Sequence, residues 1–448
     1  MQNQTATAAP SSGLIRILGV GFGLAVVVGS IVGIGILRTP GLVAAQLPTA
    51  TGILTIWVVG GVYTLLSAAL LAELGTMLPA AGGYYLYARR AFGDTVGFAV
   101  GWTDWLTYCA VLGYISIAIG EFAALLVPSL AGFEKGVSIA ALSALAALQL
   151  AGLRASSRFQ EITTVVKGAA FLVLVAGAII FAPRIGSSSA PGMPSLGGLI
   201  LAFQSVVITY GGWQSALYFA EEDRDPRRNL PRSLIGGVAS VIVVYVLVNI
   251  ALLLVLPLED LARSMLPAAD AARVLVGTRG GELITILSIV SLPPTLNAVM
   301  MIGPRIIFAM GRDGLFWRRA ASVSVRGTPA AATAATTAIA LVLIATGTFQ
   351  RLIAIASIFL TANYALCCLA LIVLRRREPD APRPFLAWGY PWSVAVVLAG
   401  AVAFLVGAVI GDTANAIGAL ILIALGLVIR TVAGLTSGRA VPERRPAD

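Results

Sequence analysis

Long apolar runs, each close to the length of a membrane-spanning helix, alternate along this chain with short polar connections. They fall at 14–37, 43–74, 95–127, 135–153, 159–182, 196–220, 232–257, 281–310, 329–347, 351–374, 390–411 and 414–434. A hydrocarbon core is crossed by about 20 predominantly apolar residues in a helix. The pattern therefore predicts an all-α integral membrane protein, a single domain over 1–448 with about twelve transmembrane helices. Long connections lie near 75–94, 311–328 and 375–389.

Two of the runs are interrupted in the same way. The first contains Gly29-Ser30-Ile31-Val32-Gly33-Ile34-Gly35, and the sixth contains Tyr210-Gly211-Gly212-Trp213. They stand five helices apart, and five is odd, so two five-helix units in series must cross the membrane in opposite orientations. Glycine-broken helices at matching positions of inverted halves point to a substrate site near the midplane. A break frees backbone N–H and C=O groups, which are tolerable in a bilayer only where they line a cavity. Glycines also serve close helix packing in membranes; the matched pair favours the site. Half-helix N-termini suit a carboxylate, and freed carbonyls suit an ammonium. A zwitterionic α-amino acid offers both groups a few bonds apart.

Composition agrees with lipid as the solvent: 58% of residues are hydrophobic and 11% charged, where a soluble domain carries about a quarter charged. The net charge of +10 does not indicate nucleic acid, because the basic residues cluster at alternate ends of the apolar runs. One side carries Arg16, Arg89, Arg90, Arg154, Arg158, Arg224 to Arg232, Arg312 to Arg326, Arg375 to Arg383 and the C-terminal arginines; the other carries Arg38, Lys135, Arg184, Arg263, Arg273, Arg279 and Arg351. This roughly threefold bias places both termini in the cytoplasm and requires an even number of spans. The chain has no histidine, which removes histidine acid–base chemistry, metal sites and proton relays. Its three cysteines, Cys109, Cys367 and Cys368, lie inside apolar runs and do not form an extracellular disulfide framework. Met1 to Ser12 lack the basic start of a signal peptide. Abundant Ala, Gly, Arg and Val beside only two lysines, Lys135 and Lys167, fit a bacterial inner-membrane protein. No metal or cofactor site is expected.

Five stretches in order carry a resemblance: Gly29 to Ile36 with Thr39-Pro40; Ala72-Glu73-Leu74-Gly75-Thr76 with Gly82-Gly83-Tyr84; Tyr210 to Trp213 with Glu221-Glu222 and Asp225-Pro226; Asn297 with Arg305; and Arg375 through Pro391. In these the chain resembles the amino acid–polyamine–organocation (APC) superfamily of transporters, and within it the L-type amino acid transporters. The resemblance implies a five-plus-five inverted-repeat (LeuT-like) core with helices one and six broken. The repeats would be 14–182 and 196–374, followed by two additional helices over 390–434. It implies alternating access, with the substrate carboxylate at the amides of Gly33, Ile34 and Gly35. The ammonium would meet carbonyls near Ile31 and near Ile208 to Tyr210, and Ile208, Gly211, Gly212, Trp213 and Gln214 would complete the pocket. The chain departs from the family at Ile34, where a small or hydroxyl residue is common, and at Pro293-Pro294 in helix eight.

Lys167 stands within the fifth run. An ionisable group there is expensive and usually functional, although a lysine can also snorkel to the interface. In the resemblance, sodium-independent members carry a lysine here, whose ammonium bridges helix one to helix eight where coupled relatives bind sodium. Lys167 and Ser291 are therefore the candidate coupling residues. If the ammonium releases and rebinds a proton in the cycle, the same group would couple transport to protons. Asp104 and Glu121 in helix three are candidate proton carriers or pocket acids, or else sit hydrated near an interface. Tyr108, Asn297 and Phe359 are further gating or pocket candidates.

The neutral Gln214 after Trp213 favours neutral amino acids. Glu221 to Arg228 form a solvated charge cluster or a cytoplasmic gate facing Arg305. The function expected is a secondary amino acid permease, sodium-independent, working by proton symport or exchange. A polyamine or organic-cation carrier is the alternative, and a non-transporting sensor a lesser one. An enzyme would need a convergent catalytic constellation, which the sequence lacks. A disulfide-linked heavy chain would need a cysteine between helices three and four, and Pro128 to Lys135 contains none.

Overall fold

A computed structural model describes residues 14–33, 35–181, 194–277 and 279–437; Ile34, Arg184 and both terminal segments lie outside them. Among the described residues the chain is helical throughout its spans, as it must be where no water satisfies the backbone. In order the helices are α1 (Val20–Ile31), α2 (Gly35–Ala44), α3 (Ala50–Met77), α4 (Tyr84–Phe92), α5 (Asp94–Leu126), α6 (Glu134–Ala151), α7 (Leu153–Phe181) and α8 (Leu196–Thr209). They continue as α9 (Pro226–Val255), α10 (Leu258–Arg263), α11 (Pro267–Val276), α12 (Arg279–Arg312), α13 (Ala330–Thr346), α14 (Phe349–Arg377), α15 (Trp392–Gly411) and α16 (Thr413–Ser437). Among the described residues ten spans are long and apolar enough to cross a bilayer, eleven if α1 and α2 count as one span bent by 47°. The apolar helix α13, of 17 residues, stands at the lower limit for spanning; counting it would make twelve. The protein is a multi-pass membrane protein.

The structure refines the boundaries read from the sequence. Residues 14–19 are not helical; backbone bonds from Ile17 and Leu18 to Glu222 and from Arg224 to Leu18 strap them to the exit of the sixth span. Helix continues past the expected end at 37 through α2 to Ala44. The connections expected around 75–94 and 258–280 hold short helices, α4 between α3 and α5, and α10 and α11 between α9 and α12.

α3 packs along α9, α5 against α12 and α14, and α6 against α13. Of these spans α12 is the most enclosed, and α15 and α16 are the most exposed. Those last two helices are held by side chains reaching carbonyls: Tyr63 to Val397 O at 2.8 Å and Trp102 to Leu422 O at 2.9 Å. At the arginine-rich side, fully buried Glu73 of α3 gathers distant segments. Its carboxylate takes two bonds from Arg375, at 2.8 and 2.5 Å, and one from the Ala387 N–H at 2.8 Å. Arg383 lies 3.4 Å away.

Candidate functional site

Both broken spans meet at the centre of the bundle. The first breaks after Ile31, between α1 and α2; the second breaks at Tyr210 to Gly212, after which a tight 3-10 turn runs Trp213–Phe219. Gly212 explains how closely they approach. Its φ of +106° suits glycine, and a Cβ there would stand 2.9 Å from the Ser30 carbonyl. Gly212→Ala would add left-handed strain of about 1–3 kcal/mol and force the two breaks apart. The expected outcome is a lowered unfolding temperature together with loss of uptake in liposomes.

Between the breaks lies a cavity of about 150 Å³, small beside the 300–1,000 Å³ of drug-sized sites. Ser30 of the first break lines it, as do Ile208, Gly211, Gly212, Trp213 and Gln214 of the second. Thr64 and Ser67 of α3, Thr107 and Tyr108 of α5, Thr295 of α12 and Thr361 of α14 add hydroxyls. None of the described lining residues is charged.

Several expected residues stand elsewhere. Gly33, inside the break, and Gly35, which opens α2, do not line the cavity, and Ile34 lies outside the described residues. The Ile31 carbonyl accepts from Tyr245 at 2.9 Å. Tyr210 turns away from the cavity; its hydroxyl bonds Trp57 O, and its ring packs on Trp57 and Tyr245. Asn297 is a strut, joined to Gln149, Gln160 and the Ser156 carbonyl, which ties α12 to α6 and α7. Phe359 is buried without lining the cavity.

Lys167 does not snorkel. It is fully buried and points at the first break, where its ammonium donates to Gly29 O at 3.0 Å, to Val32 O, and to the Thr295 hydroxyl at 3.0 Å. Thr295 in turn donates to Gly29 O at 2.9 Å. The ammonium thus joins α1, α7 and α12. Ser291 is not its partner; the Ser291 hydroxyl bonds Ser288 O, and the hydroxyl that meets Lys167 belongs to Thr295, one turn further along. The sequence carried a signal for this, since positions four apart share a helix face, but not for which turn faces α1. Gln160 and Thr164, which bond the Ala25 carbonyl, and Tyr245, which bonds Ile31, were also not singled out. Asp104 is wholly buried, not hydrated at an interface, whereas Glu121 is exposed.

On the arginine-rich side ion pairs join the exit of the sixth span to α12. Arg305 grips Glu222 bidentately at 2.5 and 2.7 Å, with its guanidinium over the Phe219 ring. Burial raises the Glu222 carboxyl above its usual range, and Arg305 opposes that. Arg312 holds Glu221, which also accepts from the Ala81 N–H. The Glu221 to Arg228 cluster is therefore a sealed contact at its start and a solvated face only further on.

A bundle of apolar helices broken twice around one small uncharged cavity defines a membrane transporter. The amino acid permease family matches residues 23–429, and the chain belongs to that family, an amino acid transporter of the APC superfamily resembling its L-type branch. It is 30% identical over 416 residues to the serine/threonine exchanger SteT of Bacillus subtilis, covering 90% of this chain and 93% of that one. It is 27% identical over 383 residues to the mouse b(0,+)-type amino acid transporter 1, covering 81% and 76%. It is 28% identical over 374 residues to the mouse large neutral amino acids transporter small subunit 2, covering 80% and 70%. The family and these relatives are transporters, and the chain is not an enzyme.

Proposed function

We propose that the chain carries small neutral amino acids across a bacterial inner membrane, independently of sodium, by exchange or proton symport. It would do so by alternating access between inverted repeats over 14–182 and 196–374, with both termini cytoplasmic and no disulfide-linked heavy chain. The observation that carries the reading is the Lys167 ammonium, held by two carbonyls of the first break and by Thr295. A fixed cation at that junction supplies the bridge between α1 and α12 that a bound sodium ion would otherwise make. Size and lining support the substrate class. The cavity of about 150 Å³ suits a small amino acid, its hydroxyls suit a polar side chain, and a related exchanger is named for serine and threonine. A polyamine would need carboxylates, and the described lining has none. Backbone at the breaks would bind the zwitterion, with N–H groups toward the carboxylate and carbonyls toward the ammonium.

The test is uptake of labelled serine, threonine, alanine and leucine into liposomes holding the purified protein. Conditions would be no gradient, a sodium gradient, an inward proton gradient and preloaded unlabelled serine. Serine uptake driven by preload or by protons, and indifferent to sodium, is the expected result. Uptake driven only by sodium would overturn the role given to Lys167, and transport of polyamines alone would overturn the substrate class.

A further inference from the structure

One buried carboxylate does not line the cavity. Asp104 of α5 is fully enclosed. Its Oδ2 accepts from the Tyr218 hydroxyl at 2.8 Å, and its Oδ1 has no hydrogen-bond partner among the described residues. No lysine or arginine forms an ion pair with it there. The groups facing it are neutral ones: Tyr218 from the 3-10 turn, Tyr84 from α4, Tyr108 on its own helix and Cys367 from α14. On α12 the nearby side's Arg305 is committed to Glu222; Arg430 of α16 lies over Phe98; and α13 carries no titratable residue. An ionised carboxylate sealed in this way is costly without a counter-charge. The same group carrying a proton is neutral.

The surroundings connect this carboxyl to the cavity and to a moving part. Gln214 and Tyr108 line the cavity, and the Gln214 amide donates to the Tyr108 hydroxyl at 3.2 Å. The Tyr108 ring meets Tyr218 edge-on at 5.3 Å, and Tyr218 reaches Asp104. Asp104 thus stands behind two tyrosines, one lining the cavity and the other bonded to the carboxyl. Tyr218 belongs to the 3-10 turn of the broken sixth span. It is seated over Gly83, where φ is +54° and a Cβ would stand 2.3 Å from its ring. The residue capping Asp104 therefore sits on the segment that must move if the arginine-rich side is to open.

We propose that Asp104 is a proton-binding site that makes the carrier a proton–amino acid symporter, and this rests on the transport reading given above. With the cavity open to the side opposite the arginines, water entering past Gln214 and Tyr108 hands a proton to the carboxylate. Closure seals the neutral acid under Tyr218. When the 3-10 turn swings out on the arginine-rich side, Tyr218 leaves, water reaches Asp104, and the proton departs with the substrate. One proton is bound and one released in each cycle, and no other bond changes.

The test uses the full chain in liposomes with a trapped pH dye and labelled L-serine. Wild type should show serine counterflow and should acidify the lumen when serine is added outside. Asp104→Asn, which keeps the acceptor for Tyr218 but cannot take up a proton, should keep counterflow and lose acidification. Acidification that persists in Asp104→Asn, or counterflow by wild type without acidification, would overturn the proposal and leave the transport reading intact. Absence of counterflow for every neutral amino acid in folded wild type would overturn both. If Asp104→Asn does not fold, Tyr218→Phe decides. Loss of a hydrogen bond to the charged form should move the pH of half-maximal serine uptake by about one unit, and an unmoved midpoint would overturn the proposal.

Discussion

Lys167→Ala is expected to reduce sodium-independent serine uptake on the order of 100-fold, since a hydrogen bond to a charged group is worth about 1.5–3 kcal/mol. The ammonium holds Gly29 O, Val32 O and Thr295 together where no other cation among the described residues reaches them. Without it Val32 O loses the ammonium, and Gly29 O keeps only the bond from Thr295 as a side-chain link between α1 and α12. Lys167→Met, which keeps the apolar stem and removes the charge, should fall as far as alanine. That equality would assign the loss to the ammonium and not to packing. Uptake persisting in both variants would take Lys167 out of the machinery.

The second large effect is expected at the seal on the arginine-rich side. Arg305 and Glu222 are 4% and 0% exposed, so removing either leaves the other as a buried, uncompensated charge. Breaking such a pair from one side costs about 3–5 kcal/mol. Arg305→Ala and Glu222→Ala should each lower the unfolding temperature sharply, while the double variant loses much less than their sum. A cycle in which the two losses simply add would mean that the pair is not coupled. The substitutions should also weaken closure, because Glu222 lies on the exit of the sixth span, which the backbone of Ile17 and Leu18 clasps.

Much of this arrangement was legible in the chain because lipid makes its demands locally. Apolar length marks a span, and glycines inside two such spans mark the breaks. A lysine within a span stands out because its cost there is high. Orientation about the helix axis was not legible. Ser291 and Thr295 share one face of α12, and only the packing of α1 decides that Thr295 meets Lys167. Asp104 reads from sequence as better suited to an interface, and it is enclosed by side chains distant in the chain, among them Tyr218, 114 residues away. Asn297 was singled out for the pocket, yet its amide serves Gln149 and Gln160 of neighbouring helices. Polar residues in membranes bind the scaffold together as well as the cargo, and spacing alone does not separate the two uses.

The carboxylate of Glu73 also imposes a schedule on synthesis. Its arginine partner lies 302 positions downstream, which at about 5–20 residues per second takes on the order of 15–60 s to translate. Until Arg375 emerges, the end of α3 carries an acid with no counter-ion. A helix among the first to be made is thus among the last to be fastened. Chains halted before residue 375 would expose that unfastened end, giving membrane quality control a feature by which to recognise an incomplete carrier.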